Sequence, residues 1–167
     1  MSKSDSSAYL YRWPGMYVRA GGRIVEAPQA DAEVARRYPG HAGKGPVIEG
    51  CRITILTART AYALDEEIRV IHVVDVVLPG REVYVMGPKP VFDEYVNDQP
   101  VTPPCPPGDP LVPHEYNGVT LPSPAVDYNY DITVYRFDRP ARYRIQWRPG
   151  RLRSNVLEID VQANRAP

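Results

Sequence analysis

The side chains here that carry nucleophilic, basic or metal-binding chemistry are few: Cys51 and Cys105, and three histidines, His41, His72 and His114. Cys105 and His114 share one proline-rich stretch, so a thiol–imidazole pair is the one nucleophilic arrangement the spacing allows. Such a pair needs an electropositive setting that lowers the thiol pKa, and a third group that orients the base. The run Pro103-Pro104-Cys105-Pro106-Pro107 signals neither, and a Cys/His enzyme ranks last among the readings. No two histidines stand at the spacing that sets two ligands on one face. His72, inside an apolar run, reads as a core or cross-strand histidine. Gly40-His41-Ala42-Gly43-Lys44-Gly45 looks like a phosphate loop, but it is too short between its glycines, Gly45 takes the hydroxyl position and Pro46 blocks a following helix. Asp93 and Glu94 would point to opposite sides of an extended segment and read as solvated turn charges. Asp127, Asn129 and Asp131 lack a calcium loop of about 12 residues with its central glycine. No catalytic residue, metal or cofactor is expected, and no nucleotide.

The elements that would position these groups read as strands. Residues 16–20 and 23–26 flank Gly21-Gly22, a pair suited to the positive φ of a type I′ hairpin turn. Pro28 then opens a short helix over residues 29–38, with Ala30, Val34 and Tyr38 on one face and Pro39-Gly40 as its stop. Residues 40–50 hold four glycines and read as a linker. Strands follow at 51–57, 68–78, 81–86 and 90–96, with Asn97-Asp98-Gln99 as a turn. The run at 68–78 is apolar on both faces, as in a strand covered on both sides. Residues 100–124 hold nine of the 19 prolines, and that loop is expected to be extended. Near the end, Tyr143, Ile145 and Trp147 alternate with Arg142, Arg144 and Arg148, and Leu157, Ile159 and Val161 alternate with Glu158 and Asp160. Both patterns are half-buried strands.

Composition supports this. Nineteen prolines are incompatible with a mainly helical chain, since each interior proline costs a helix roughly 3 kcal/mol. With 20 basic and 20 acidic residues the formal charge is zero, which argues against nucleic acid as a partner. No apolar run follows residues 1–7 and none reaches about 20 residues, so the expectation is a soluble, cytoplasmic protein, peripheral at most to a membrane complex.

Residues 51–161 resemble the immunoglobulin-like modules of bacterial intracellular proteinase inhibitors and macroglobulin-type proteins. Tyr62-Ala63-Leu64-Asp65-Glu66-Glu67-Ile68-Arg69-Val70 is similar to the opening of a long strand in which a glycine is usual where Asp65 or Glu66 stands. Ala141-Arg142-Tyr143-Arg144-Ile145-Gln146-Trp147 resembles the penultimate strand, and Ser154-Asn155-Val156-Leu157-Glu158-Ile159-Asp160-Val161 the closing one. The resemblance implies a mainly β fold: an immunoglobulin-like antiparallel sandwich over residues 51–163 carrying the loop at 100–124, preceded by an N-terminal extension, residues 1–50, with a hairpin and one short helix.

Two surfaces read as contacts. Tyr9, Tyr11, Trp13 and Tyr17 give the N-terminal arm large amphipathic aromatics of the kind enriched at interface hot spots. Arg142, Arg144, Arg148, Arg151 and Arg153, with Arg136 and Arg139, crowd one region, which pairs with acidic neighbours such as Glu158 and Asp160 or meets an acidic protein surface or anionic head groups. The function expected is that of a non-catalytic subunit docked on a larger protein assembly, possible at an anionic membrane surface. The alternative is a proteinase-inhibitor-like module that inserts the proline-rich loop.

Overall fold

The computed structural model describes residues 15–85, 87–113 and 119–163. The chain is mainly β, with several antiparallel sheets, none closed, and a single described helix. β1 (Tyr17–Ala20) and β2 (Arg23–Glu26) form the expected hairpin, and Gly21 and Gly22 both take positive φ (56° and 76°). Helix α1 (Gln29–Arg36) ends two residues earlier than expected, in a 3-10 turn over Tyr38–Gly40. Its buried face is Asp31, Val34 and Ala35, continued by Tyr38 of the 3-10 turn, while Ala30 faces solvent.

One five-stranded sheet holds β3 (Val47–Ile48), β4 (Cys51–Leu56), β6 (Ile68–Val76), β11 (Ala125–Asp127) and β12 (Thr133–Tyr135). Strand β6 pairs with β4 along one edge and with β11 and then β12 along the other. The second sheet runs β5 (Ala61–Ala63), β14 (Leu157–Gln162), β13 (Ala141–Trp147), β8 (Glu94–Val96), β9 (Gln99–Pro100), antiparallel except for β5 against β14. A separate pair joins β7 (Glu82–Val85) to β10 (Val119–Pro122).

The period-2 pattern of each strand decides which core it enters. Ile53 and Ile55 of β4 and Ile68, Val70, Val74 and Val76 of β6 meet Ile145 and Trp147 of β13 and Leu157, Ile159 and Val161 of β14 in one buried cluster. The alternate residues of β4 and β6 face the other way, where Leu56, Ile71 and Val73 form a second cluster with Met16, Val18, Val34, Ala35 and Tyr38. The hairpin and α1 therefore cover the outer face of this sheet, which explains why the run at 68–78 is apolar on both sides. Two polar contacts fasten the helix there: Arg69 Nη2 donates to Asp31 Oδ2 (2.8 Å), and Tyr38 OH donates to Asp75 Oδ2 (2.6 Å).

The glycine-rich stretch is also tied down. Gly45 N–H donates to Thr54 Oγ1 (3.0 Å), and β3 pairs with β4. A Cβ on Gly45 would fall on the Ile53 carbonyl oxygen, so only glycine passes there. Where glycine was expected ahead of β6, Asp65 takes the left-handed conformation itself (φ 58°), a region aspartate tolerates better than most residues. Asn97 and Asp98 do the same (49° and 63°) in the two-residue turn joining β8 to β9. The expected strand at 90–96 begins only at Glu94: Pro90 lacks a ladder donor, and Asp93 has φ 54°.

Candidate functional site

Two buried polar constellations and one cavity are the features with chemical potential. The first lies between the two large sheets. His72 on β6 and Glu94 on β8 have fully buried side chains, and His72 Nε2 is hydrogen-bonded to Glu94 Oε2. Glu94 Oε1 accepts from the Thr133 and Tyr135 hydroxyls of β12. Burial alone would push the Glu94 carboxyl up. The charge and hydrogen bond of His72, with the bonds from Thr133 and Tyr135, hold it below the usual carboxylate range instead. The imidazole stands edge-on to Trp147 (5.0 Å between centroids), and its Nδ1 has no partner. Asp93 and Glu94 thus differ from the expectation of two solvated charges. The turn at Asp93 aims Glu94 inward, where it joins three strands. Sealed from solvent, this cluster can hold a proton and fix the register of β6, β8 and β12, but it meets no substrate.

The second constellation is Lys89 with Asp127, an ion pair on nearly buried side chains. Lys89 Nζ also lies 4.5 Å from the centroid of the Tyr130 ring. Asn129 N–H donates to Asp127 Oδ1 (3.0 Å), Asn129 Oδ1 accepts from Tyr17 N–H (3.0 Å), and Asp131 pairs with Arg19 (3.3 Å). The three residues once weighed as calcium ligands thus each serve a different contact. Among the described residues no group of three or more His, Cys, Asp or Glu is placed to hold a metal ion.

Lys89 and Tyr130 line an open cavity of about 370 Å3 together with Arg19, Phe92 and the proline-rich segment. That segment is rooted in the body. Asp93 N–H donates to Pro103 O (2.9 Å), Cys105 N–H donates to Asp93 Oδ2 (2.8 Å), and Leu111 is buried in the main core. Cys105 lines the cavity as a free thiol. Burial, then the charges of Asp93 and Asp109, push its pKa up. His114, its conceived partner, lies outside the described residues. Cys51, the other free thiol, is buried, and burial raises its pKa against the opposing hydrogen bond from Arg81.

The expected arginine surface is only partly one surface. Arg142 and Arg144 share the outer face of β13, directly across from Asp160 and Glu158 of β14. Arg142 lies 3.4 Å from Asp160 and 3.8 Å from Glu158. Arg148 pairs with Asp98 and covers the Tyr95 ring. Arg151 and Arg153 belong to the connection before β14: Arg151 reaches Glu49 (3.3 Å), and Arg153 donates to the carbonyls of Gly150 and Leu152. Arg136 pairs with Glu67. Of the arm residues, Tyr17 sits on β1 and is 39% exposed, whereas Tyr9, Tyr11 and Trp13 lie outside the described residues.

No family model, curated protein or solved structure matches this chain. Sequence reasoning took Glu94 for a solvated charge and gave Lys89, Asp75 and Asp31 no role. Asp75 carried a signal, a lone carboxylate inside Val73-Val74-Asp75-Val76; the other three sit where no local pattern marks burial.

Proposed function

We propose that this chain is a non-catalytic interaction subunit, an immunoglobulin-like β-sandwich that lends its N-terminal hairpin to a protein partner in a larger assembly. The sandwich reading is supported by the strand order. The chain passes from one large sheet to the other between β4 and β5, and β5 runs parallel to β14 beside β13 and β8, as in immunoglobulin frameworks. It is supported too by a tyrosine corner: Tyr143 OH donates to Arg139 O (2.8 Å) at the start of β13.

One observation carries the contact role. The hairpin buries Met16 and Val18 against the body, yet all four residues of β2 are exposed, with Ile24 at 54% and Val25 at 40%. Strand β2 pairs on one side with β1 and, among the described residues, with no strand on the other. A strand that exposes Ile24 and Val25 beside a free edge is a template for an added strand, and the partner fitting it presents an extended segment. The arginine surface, largely met by its own carboxylates, contributes less.

A gentle pull-down of the native protein, with its companions identified, tests this. Companions should be present and should be lost on Ile24→Lys, but kept on Arg144→Glu. A clean monomer without companions overturns the reading.

A further inference from the structure

The cavity beside the proline-rich segment has a peculiar hydrogen-bond inventory. Six of its 14 lining residues are Pro88, Pro90, Pro106, Pro107, Pro110 and Pro113. Each brings a carbonyl and no N–H. Of the other lining residues, five have their backbone N–H groups spent within the fold. Lys89 donates to Asn129 O, Tyr130 to Tyr128 O, Val112 to Asp109 O, Leu111 to Asp109 Oδ1 and Cys105 to Asp93 Oδ2. The cationic side chains are spent too: Lys89 on Asp127, Arg19 on Asp131 and on Pro88 O. The backbone of the wall is thus poor in free N–H donors and carries six proline carbonyls, of which Pro88 O accepts from Arg19.

Its charge leans the same way. Three charged residues line the cavity, Arg19, Lys89 and Asp109; the two cations are each matched by a carboxylate behind the wall, Asp131 and Asp127, which leaves Asp109 as the charged acceptor of the lining. Its Oδ1 accepts from Leu111 N–H (3.0 Å), its ion pair with Arg81 through Oδ2 is long (3.4 Å), and its side chain is 39% exposed. After burial, Asp93 and Asp109 push the Cys105 thiol up, and Asp127, Cys51 and Asp109 push the Tyr130 phenol up.

We propose that this cavity binds a small organic ammonium. Its apolar body lies on the proline rings and Phe92, and its N–H groups donate to wall carbonyls and to Asp109. A volume of about 370 Å3 suits a compact ligand, at the lower end of the ~300–1,000 Å3 common for small-molecule sites. The site goes beyond the docking role of the hairpin and does not depend on it.

The test uses the full chain and two probes of similar size and opposite charge, 2-phenylethylammonium and 3-phenylpropionate, followed by amide chemical shifts. The ammonium should saturate at millimolar concentration, with shifts at Lys89, Cys105, Leu111, Val112 and Tyr130, and bind about tenfold more tightly than the anion. Asp109→Asn should weaken the ammonium several-fold, and Val112→Trp, at a half-exposed lining position, should abolish binding with the amide spectrum otherwise unchanged. Equal or tighter binding of the anion, shifts elsewhere on the molecule, no saturation by the ammonium, or indifference to both substitutions would overturn the proposal.

Discussion

Replacing Glu94 by glutamine changes almost no volume and removes one charge from a polar cluster whose His72 and Glu94 side chains are fully buried. The Thr133 and Tyr135 hydroxyls keep an acceptor at Oε1. The loss falls on the side facing His72, where an amide NH2 replaces the carboxylate oxygen that now bonds Nε2. To accept from that amide, the imidazole must give up its Nε2 hydrogen and carry one on Nδ1 alone, which has no partner. Hydrogen bonds to charged groups contribute about 1.5–3 kcal/mol, and a stranded buried donor costs about 1–3 kcal/mol. The expected destabilisation is therefore about 2–4 kcal/mol. With a urea slope of about 1–3 kcal/mol per molar, the unfolding midpoint at neutral pH should drop by roughly 1–4 M. The pH dependence follows from the depressed Glu94 carboxyl. Its contribution is fully present above the ordinary carboxylate pKa, about 4.3, and is lost as pH falls through the lower folded-state value. The gap between parent and variant should shrink in acid. A midpoint shift that is negligible at pH 7, or one that grows in acid, would refute the ionised, paired carboxylate.

Three further outcomes are expected. Tyr143→Phe removes the bond to Arg139 O and should cost about 0.5–1.5 kcal/mol by urea unfolding. Gly45→Ala forces a methyl onto the Ile53 carbonyl and should cost about 2 kcal/mol or more, with faster amide exchange at β3 and the N-terminal half of β4; a neutral result would contradict the close approach. In the native protein a thiol reagent should label Cys105 and spare Cys51 until unfolding, and slowly at pH 7 because both thiols are held protonated; equal labelling of the two would contradict the burial of Cys51.

The strands legible in the sequence are those with one dominant local cause. The Gly21-Gly22 hairpin follows from positive φ, β13 and β14 from strict alternation, and β6 from its length and β-branched content. Strand β9 and the split between β5 and β6 were invisible because they depend on left-handed aspartate and asparagine at Asp65, Asn97 and Asp98, residues compatible with many other conformations. The buried polar groups were hidden for a related reason. A carboxylate such as Glu94 is read as solvated until its partners are known, and His72, Thr133 and Tyr135 lie 22 to 41 positions away. The burial of Asp31 needed Arg69 brought alongside by the fold, 38 residues on. The arginines looked like one surface because sequence clustering cannot tell the β13 face from the connection that follows it.

Strand β14 comes after every other described strand, yet it lies between β5 and β13 in its sheet. During synthesis β13 would therefore emerge with one edge open, and β5 with no neighbour, until residues 157–162 have left the ribosome. Any truncation ahead of Leu157 would strip both strands of their shared partner and expose Ile145 and Tyr62 together. The second sheet is thus completed from its middle, so a chain that stops just short of Leu157 is still far from a nearly complete fold.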